Sequence, residues 1–192
     1  MRKIKTGIYG GSFNPIHNGH IAIARKMLQM GGLDEIWLVV SPQNPLKRAS
    51  DLLDDNLRLE MTRKALTPYP MLKASDYEFH LPRPSYMWNT LQHLSADYPE
   101  REFTLLIGAD NWAVFDRWYN ADAIIAAYPI AIYPRTGYPV DTDTLPSGVQ
   151  LVDTGLYDVS STQVREKIRC GESVAGMIPD EIMETAIELY GK

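Results

Sequence analysis

The chain reads as an α/β protein with a parallel sheet carrying helices on both faces, and three observations predict this. Apolar runs of strand length alternate with helix-patterned stretches along the sequence. The first run, Ile4 to Tyr9, opens onto a Gly-Gly turn and a helix start, the order in which such proteins hold phosphates. No repeat or low-complexity segment interrupts the pattern, so the 192 residues are taken as one domain, with roughly residues 155–192 as a small C-terminal helical part.

The elements follow in order. After the strand Ile4–Tyr9, Asn18 or Gly19 begins a helix to about Met30. Glu35–Ser41 is a second apolar strand stopped by Pro42, and the Pro-bounded loop beyond it carries Lys47 and Arg48. Asp54 or Asp55 caps a helix to about Leu66, with Leu57, Met61 and Leu66 toward the core. Met71–Phe79 is a strand and turn, His80–Ser85 a Pro-containing loop, and Ser85–Tyr98 a helix. The strongest strand, Glu102–Ile107, ends at Gly108-Ala109-Asp110. Asn111–Arg117 and Ala121–Ala127 form short helices, and Ile130–Tyr133 a fifth strand. Pro134–Ser147 is a loop, and Val149–Val152 a sixth strand. Ser160 or Ser161 caps a helix to about Cys170, and Asp180 caps a last amphipathic helix to Leu189.

Composition narrows the function classes. A net charge of −5 with no Lys/Arg run argues against a general nucleic-acid surface. No run approaches membrane-spanning length and none resembles a signal peptide. The single cysteine, Cys170, fits a reducing cytoplasm and is read as a packing residue. The expectation is a cytoplasmic protein without nucleic-acid or membrane partners, its oligomeric state left open.

The first turn, Gly10-Gly11-Ser12-Phe13-Asn14-Pro15-Ile16-His17-Asn18-Gly19-His20, carries the chemistry. Gly10 and Gly11 allow close backbone approach, and His17 and His20, three positions apart, share one face of the first helical turn. The turn lacks the Lys-Ser/Thr ending of a P-loop and the third Gly of the dinucleotide fingerprint. A metal on the histidine pair would need a third ligand, and none lies nearby in sequence. Ser160-Ser161-Thr162 with Arg165 one turn later offers hydroxyls, helix-start N–H groups and a guanidinium, either an ordinary N-cap or an anion clamp. Asp110, just past the strongest strand, is placed to accept ribose hydroxyls or to cap the next helix. Phe115 reads as core, whereas Trp118 and Tyr119 suit stacking on a flat heterocycle.

Taken together, His17-Asn18-Gly19-His20 and the downstream Ser160-Ser161-Thr162-Gln163-Val164-Arg165 resemble the two signatures of the nucleotidyltransferase superfamily. Ser85-Tyr86-Met87, Ile107-Gly108-Ala109-Asp110 and Trp118-Tyr119 narrow the resemblance to the bacterial nicotinate-nucleotide adenylyltransferases. The resemblance implies a Rossmann-like fold and transfer of AMP from ATP to nicotinate mononucleotide, giving deamido-NAD and pyrophosphate. It implies ATP contacts from Gly10, Gly11, Ser12, Phe13, His17, His20, Ser160, Ser161, Thr162 and Arg165, with His20 nearest the transferring group and Lys47 reaching a phosphate. Ser85, Tyr86, Met87, Asp110, Trp118 and Tyr119 would meet the mononucleotide, and Mg²⁺ would be held by phosphates and water rather than by protein side chains. Met87 stands where Thr is usual in that family, and Asn89 where Asp is common. The competing readings are a phosphopantetheine adenylyltransferase or another nucleotidyltransferase, and, from a different class, a nucleotide-sensing module without activity.

Overall fold

In a computed structural model, which describes residues 2–42 and 52–191, six parallel strands form one sheet in the order β3-β2-β1-β4-β5-β6. The strands are β1 (Ile4–Gly11), β2 (Glu35–Val40), β3 (Leu72–Ser75), β4 (Arg101–Gly108), β5 (Ile130–Tyr133) and β6 (Val149–Leu151). The helices are α1 (Asn18–Met30), α2 (Asp55–Ala65), α3 (Met87–Asp97), α4 (Ala109–Trp112), α5 (Ala121–Ala127), α6 (Ser161–Arg169) and α7 (Met183–Tyr190). This is the Rossmann-like α/β architecture that the alternation predicts. Strand order reverses direction between β1 and β4, where Thr6 lies beside Phe103 and Tyr9 beside Leu106. Chain crossovers leave on opposite sides there, so a crevice opens beyond the strand C-termini.

Side-chain alternation divides the core. Ile36, Leu38 and Val40 of β2 face a cluster with Ala24 and Met27 of α1, Leu59 and Met61 of α2 and the C-terminal helices. Trp37 and Val39 face the opposite cluster with Leu91 and Leu94 of α3 and Ile124 of α5. Strands buried on both faces read as continuous apolar runs, which is why β2 and β4 are so legible. The C-terminal helices enter the first cluster through Val164, Ile168, Ile182, Ala186 and Tyr190. Glu35 closes the other end of the sheet, receiving hydrogen bonds from Thr6 (3.0 Å), Trp37 (3.0 Å), Lys73 (2.5 Å) and Arg101 (3.0 Å).

Several local expectations are corrected. The Asn111–Arg117 helix breaks into α4 and a 3-10 turn, Phe115–Arg117, because Val114 leaves helical geometry at φ −126°. Asp110 is not a cap: Gly108 holds that position, and Asp110 sits in the first turn of α4. Asp180 likewise opens a 3-10 turn behind Pro179 and makes no side-chain cap. Helix α3 starts after Ser85, whose hydroxyl is spent on Glu78 rather than on capping. Cys170 is exposed, one step past the last buried turn of α6. Leu57 is only half-buried, and its neighbour Arg58 is fully buried instead.

Candidate active site

The turn after β1 is held in a shape few sequences tolerate. Phe13 adopts φ +44°, a left-handed conformation that is costly for a bulky residue. Its buried ring meets the edges of Tyr9 (5.8 Å) and His20 (5.0 Å), and that packing holds it there. Behind the turn, Arg58 donates to the carbonyls of Ser12, Ser41 (2.9 Å) and Leu53 (2.9 Å). One buried guanidinium thus ties together the segments that follow β1 and β2 and the one that precedes α2.

The histidine spacing has a structural cause. His17 is the N-cap of α1 and accepts on Nδ1 from the His20 N–H (3.3 Å), while the His17 N–H donates to Nδ1 of His20 (3.2 Å). Two imidazoles make the reciprocal capping box that Ser/Thr and Glu usually make. The rings stack at 3.6 Å and 20°. With each Nδ1 accepting, the proton of each neutral ring resides on Nε2, which leaves an N–H donor at the helix N-terminus. Burial, aided by the Arg135 charge, pushes the His17 imidazole down to about 3. His17 is therefore neutral near pH 7 and acts as a hydrogen-bond donor, not as a cation. Gly19 is required beside it: a Cβ there would stand 2.8 Å from Val159 and 3.1 Å from the His17 ring.

The second motif meets the first directly. Of the two serines that could cap α6, Ser160 does so, in a capping box with Gln163. Ser161 Oγ donates to the Pro15 carbonyl (2.9 Å), and Arg165 Nη1 donates to the Asn14 carbonyl (2.8 Å). Tyr190 of α7 donates to the Asn14 side chain (2.7 Å). The N–H groups of Ser161 and Thr162 lie in a first helical turn, where no helix carbonyl can receive them.

Beyond the β1 and β4 C-termini lies a crevice of two lobes, of about 460 Å³ and about 400 Å³, which share Gly10, Gly11, Asn111 and Tyr133. The larger is predominantly polar and is lined by every described residue expected to meet ATP: Gly10, Gly11, Ser12, Phe13, His17, His20, Ser160, Ser161, Thr162 and Arg165. The other is predominantly apolar and is lined by Ser85, Tyr86, Met87, Trp118 and Tyr119. The Tyr86 and Tyr119 rings, both exposed, lie 5.0 Å apart. Trp118 is half-buried against the core residue Phe115, so it belongs to both the core edge and the lobe wall. Asp110, expected on the mononucleotide side, instead lines the histidine lobe, because the first turn of α4 carries it toward Arg135 (3.6 Å). Lys47 and Arg48 lie outside the described residues.

Buried polar atoms without hydrogen bonds point to what the crevice receives. Ser12 Oγ and Arg165 Nε belong to residues of the histidine lobe and Trp118 Nε1 to the aromatic lobe, while Asp110 Oδ1 and Arg135 Nε face each other at 3.6 Å without a hydrogen bond. A polar ligand entering the crevice would satisfy these donors and acceptors. Sequence reasoning missed Tyr9, Tyr133, Arg135, Asn111, Arg117 and Glu78 as lining residues. Arg135 follows β5 as Asp110 follows β4, so the strand-end rule that selected Asp110 could have found it. Among the described residues, no group of three His, Cys, Asp or Glu side chains could hold a metal ion. Donors of this kind fit phosphate oxygens rather than a cation. Among the same residues, no helix is long and apolar enough to cross a membrane.

Comparison with known proteins agrees with this geometry. Residues 8–167 match the cytidylyltransferase-like family model. A probable nicotinate-nucleotide adenylyltransferase of Bacteroides fragilis is 46% identical over 188 residues, 98% of this chain and 94% of the relative. The same-named protein of Bacteroides thetaiotaomicron is 51% identical over 166 residues, 86% of this chain and 82% of the relative. In fold, the nicotinic acid mononucleotide adenylyltransferase of Plasmodium falciparum, solved with NaAD, superposes with a TM-score of 0.79 over 97% of both chains at 19% identity. From the paired histidines, the docked second motif and these relatives alike, the chain belongs to the cytidylyltransferase-like family, among its nicotinate-nucleotide adenylyltransferases.

Proposed function

We propose that this protein transfers AMP from ATP to nicotinate mononucleotide, releasing pyrophosphate and forming deamido-NAD for NAD biosynthesis. The observation that carries the reading is the two-lobed crevice at the β1/β4 switch point, whose donor-rich lobe joins an aromatic lobe at Gly10 and Gly11. A triphosphate suits the first and a pyridine ring the second.

The chemistry needs no protein nucleophile. The mononucleotide phosphate has a second pKa of about 6 and is largely a dianion near neutral pH. One of its oxygens bonds to the α-phosphorus of ATP as the bond to the bridging oxygen of pyrophosphate breaks, and pyrophosphate carries away the charge. The protein's task is to place two anions in line and stabilise the negative charge that develops. Nε2–H of His17 and of His20 donate to phosphate oxygens, and the Arg165 guanidinium and the Ser161 and Thr162 N–H groups hold the leaving pyrophosphate. Lys47, which the family resemblance assigns to a phosphate, supplies a further cation. Mg²⁺, for which the described residues offer no three-ligand group, would enter with the triphosphate and offset part of its charge. Trp118 stacks on the pyridine, and backbone N–H groups near Met87 and Tyr119 take its carboxylate. The site of action is the cytoplasm, and the partners are small molecules.

Magnesium-dependent pyrophosphate release, measured with nicotinate mononucleotide, nicotinamide mononucleotide and phosphopantetheine, tests the proposal. Nicotinate mononucleotide is expected to give the highest kcat/KM, since the amide leaves buried donors facing donors at about 1–3 kcal/mol each. Release only with phosphopantetheine, or with none of the three, overturns it.

A further inference from the structure

Glu78 belongs to the 3-10 turn Tyr77–His80 and is 4% exposed, yet among the described residues it makes no ion pair. Instead the carboxylate is met by hydroxyls: Oε2 accepts from Ser85 (2.9 Å) and Oε1 from Thr90 (2.9 Å). Burial raises the Glu78 carboxyl above its ordinary value, against the opposing pull of the Thr90, Ser85 and Ser41 hydroxyls. Removing a carboxylate from water without a cation is costly, so its position calls for a role other than stability.

Its donors bracket the first turn of α3. Ser85 precedes the N-cap position at Tyr86, and Thr90 is the first residue whose N–H closes a helical bond, to the Tyr86 carbonyl (3.1 Å). Tyr86 makes no side-chain cap, so Glu78 replaces the cap as the anchor of this helix end. Held between the two hydroxyls is Met87, whose methyl reaches the end of β1, so close that a Cβ on Gly10 would stand 2.9 Å from it. Glu78, Ser85 and Met87 all line the aromatic lobe.

We infer that Glu78 is the positioning residue of the aromatic lobe: through Ser85 and Thr90 it fixes the first turn of α3, and with it the Met87 backbone N–H and side chain against Gly10. It touches no reacting atom, and its effect falls on capture of the mononucleotide rather than of ATP. The inference rests on the reading of this lobe as the mononucleotide site.

The test compares wild-type protein with Glu78→Ala, Glu78→Gln and Thr90→Val. KM is measured for nicotinate mononucleotide and for ATP, and amide hydrogen exchange of residues 85–91 is followed in the ligand-free protein. Glu78→Ala is expected to raise KM for the mononucleotide about tenfold, the effect of losing one to two hydrogen bonds, with KM for ATP within about twofold and faster exchange in this segment. Glu78→Gln keeps an acceptor for one hydroxyl and offers a donor to the other, and restores KM to within about threefold. Thr90→Val, which keeps the side-chain shape if Glu78→Ala does not fold, raises the same KM about threefold. Equal rises in both KM values, unchanged kinetics, or unaltered exchange overturn the inference. Accelerated exchange in a protein whose wild type turns over no mononucleotide would retain the anchoring role and reject the substrate reading instead.

Discussion

Replacing His17 by Asn should make the protein less sensitive to acid, and the size of the effect follows from the fold. The native imidazole, pushed from 6.5 to about 3 by burial and by the Arg135 charge, stays neutral, while the unfolded chain protonates it below about pH 6.5. Over that window the unfolded state binds more protons, so native stability falls as pH falls from about 6.5 toward 3. Each pH unit below about 6.5 costs about 1.4 kcal/mol, so His17 alone removes roughly 2–3 kcal/mol between pH 7 and pH 4.5. Asn is a good N-cap and can accept from the His20 N–H as His17 does, but it does not titrate. Urea unfolding of both proteins at pH 7 and pH 4.5 isolates the term, because the carboxylates titrate in each and cancel in the difference. The variant should lose about 2–3 kcal/mol less than the wild type over this range. Equal losses would refute the neutral, buried imidazole and the donor role built on it.

Three further outcomes are expected. His20→Ala should lower kcat about 10²–10³-fold in a folded protein, as loss of one preorganised donor does, and near-normal turnover would remove it from the phosphate site. Trp118→Ala should raise KM for the mononucleotide far more than for ATP; a large fall in Tm with both KM values unchanged would make it purely a core residue. Glu35 is held below its ordinary value despite burial, by hydrogen bonds from Lys73, Arg101 and Thr6. Its stabilisation is present at neutral pH and lost as pH falls through the lowered native value, so Glu35→Gln should cost about 3 kcal/mol at pH 7 and progressively less in acid, by urea unfolding.

What the sequence made legible was whatever depends on local chemistry. A strand running into Gly-Gly marks its own turn and the helix start at Asn18, and the serine pair marks the cap of α6, whereas the capping boxes of His17 with His20 and of Ser160 with Gln163 emerge only in the fold. Apolar β2 and β4 announce themselves because both of their faces are covered. Arg58 and Glu78 escaped notice because a charged residue on a helix or turn normally reads as solvated surface, and only the fold reveals the carbonyls or hydroxyls waiting for it. Asp110 was correctly placed at the sheet edge, but the rotation of a short helix decides which lobe it enters, and periodicity cannot resolve a single turn.

The hydrogen bonds that join the two motifs span 146 residues from Ser161 to Pro15 and 151 from Arg165 to Asn14, with Tyr190 a further 176 from Asn14. Contacts so distant in sequence form only after most of the loop-closure entropy has been lost, which places them late in folding. A nascent chain that has emerged as far as β6 already contains both histidines and every strand of the sheet, yet lacks the wall that α6 and α7 supply. On the proposed reading of the histidine lobe, affinity for a triphosphate is therefore a property of the finished molecule, and nucleotide bound during synthesis would report that the C-terminal helices have docked.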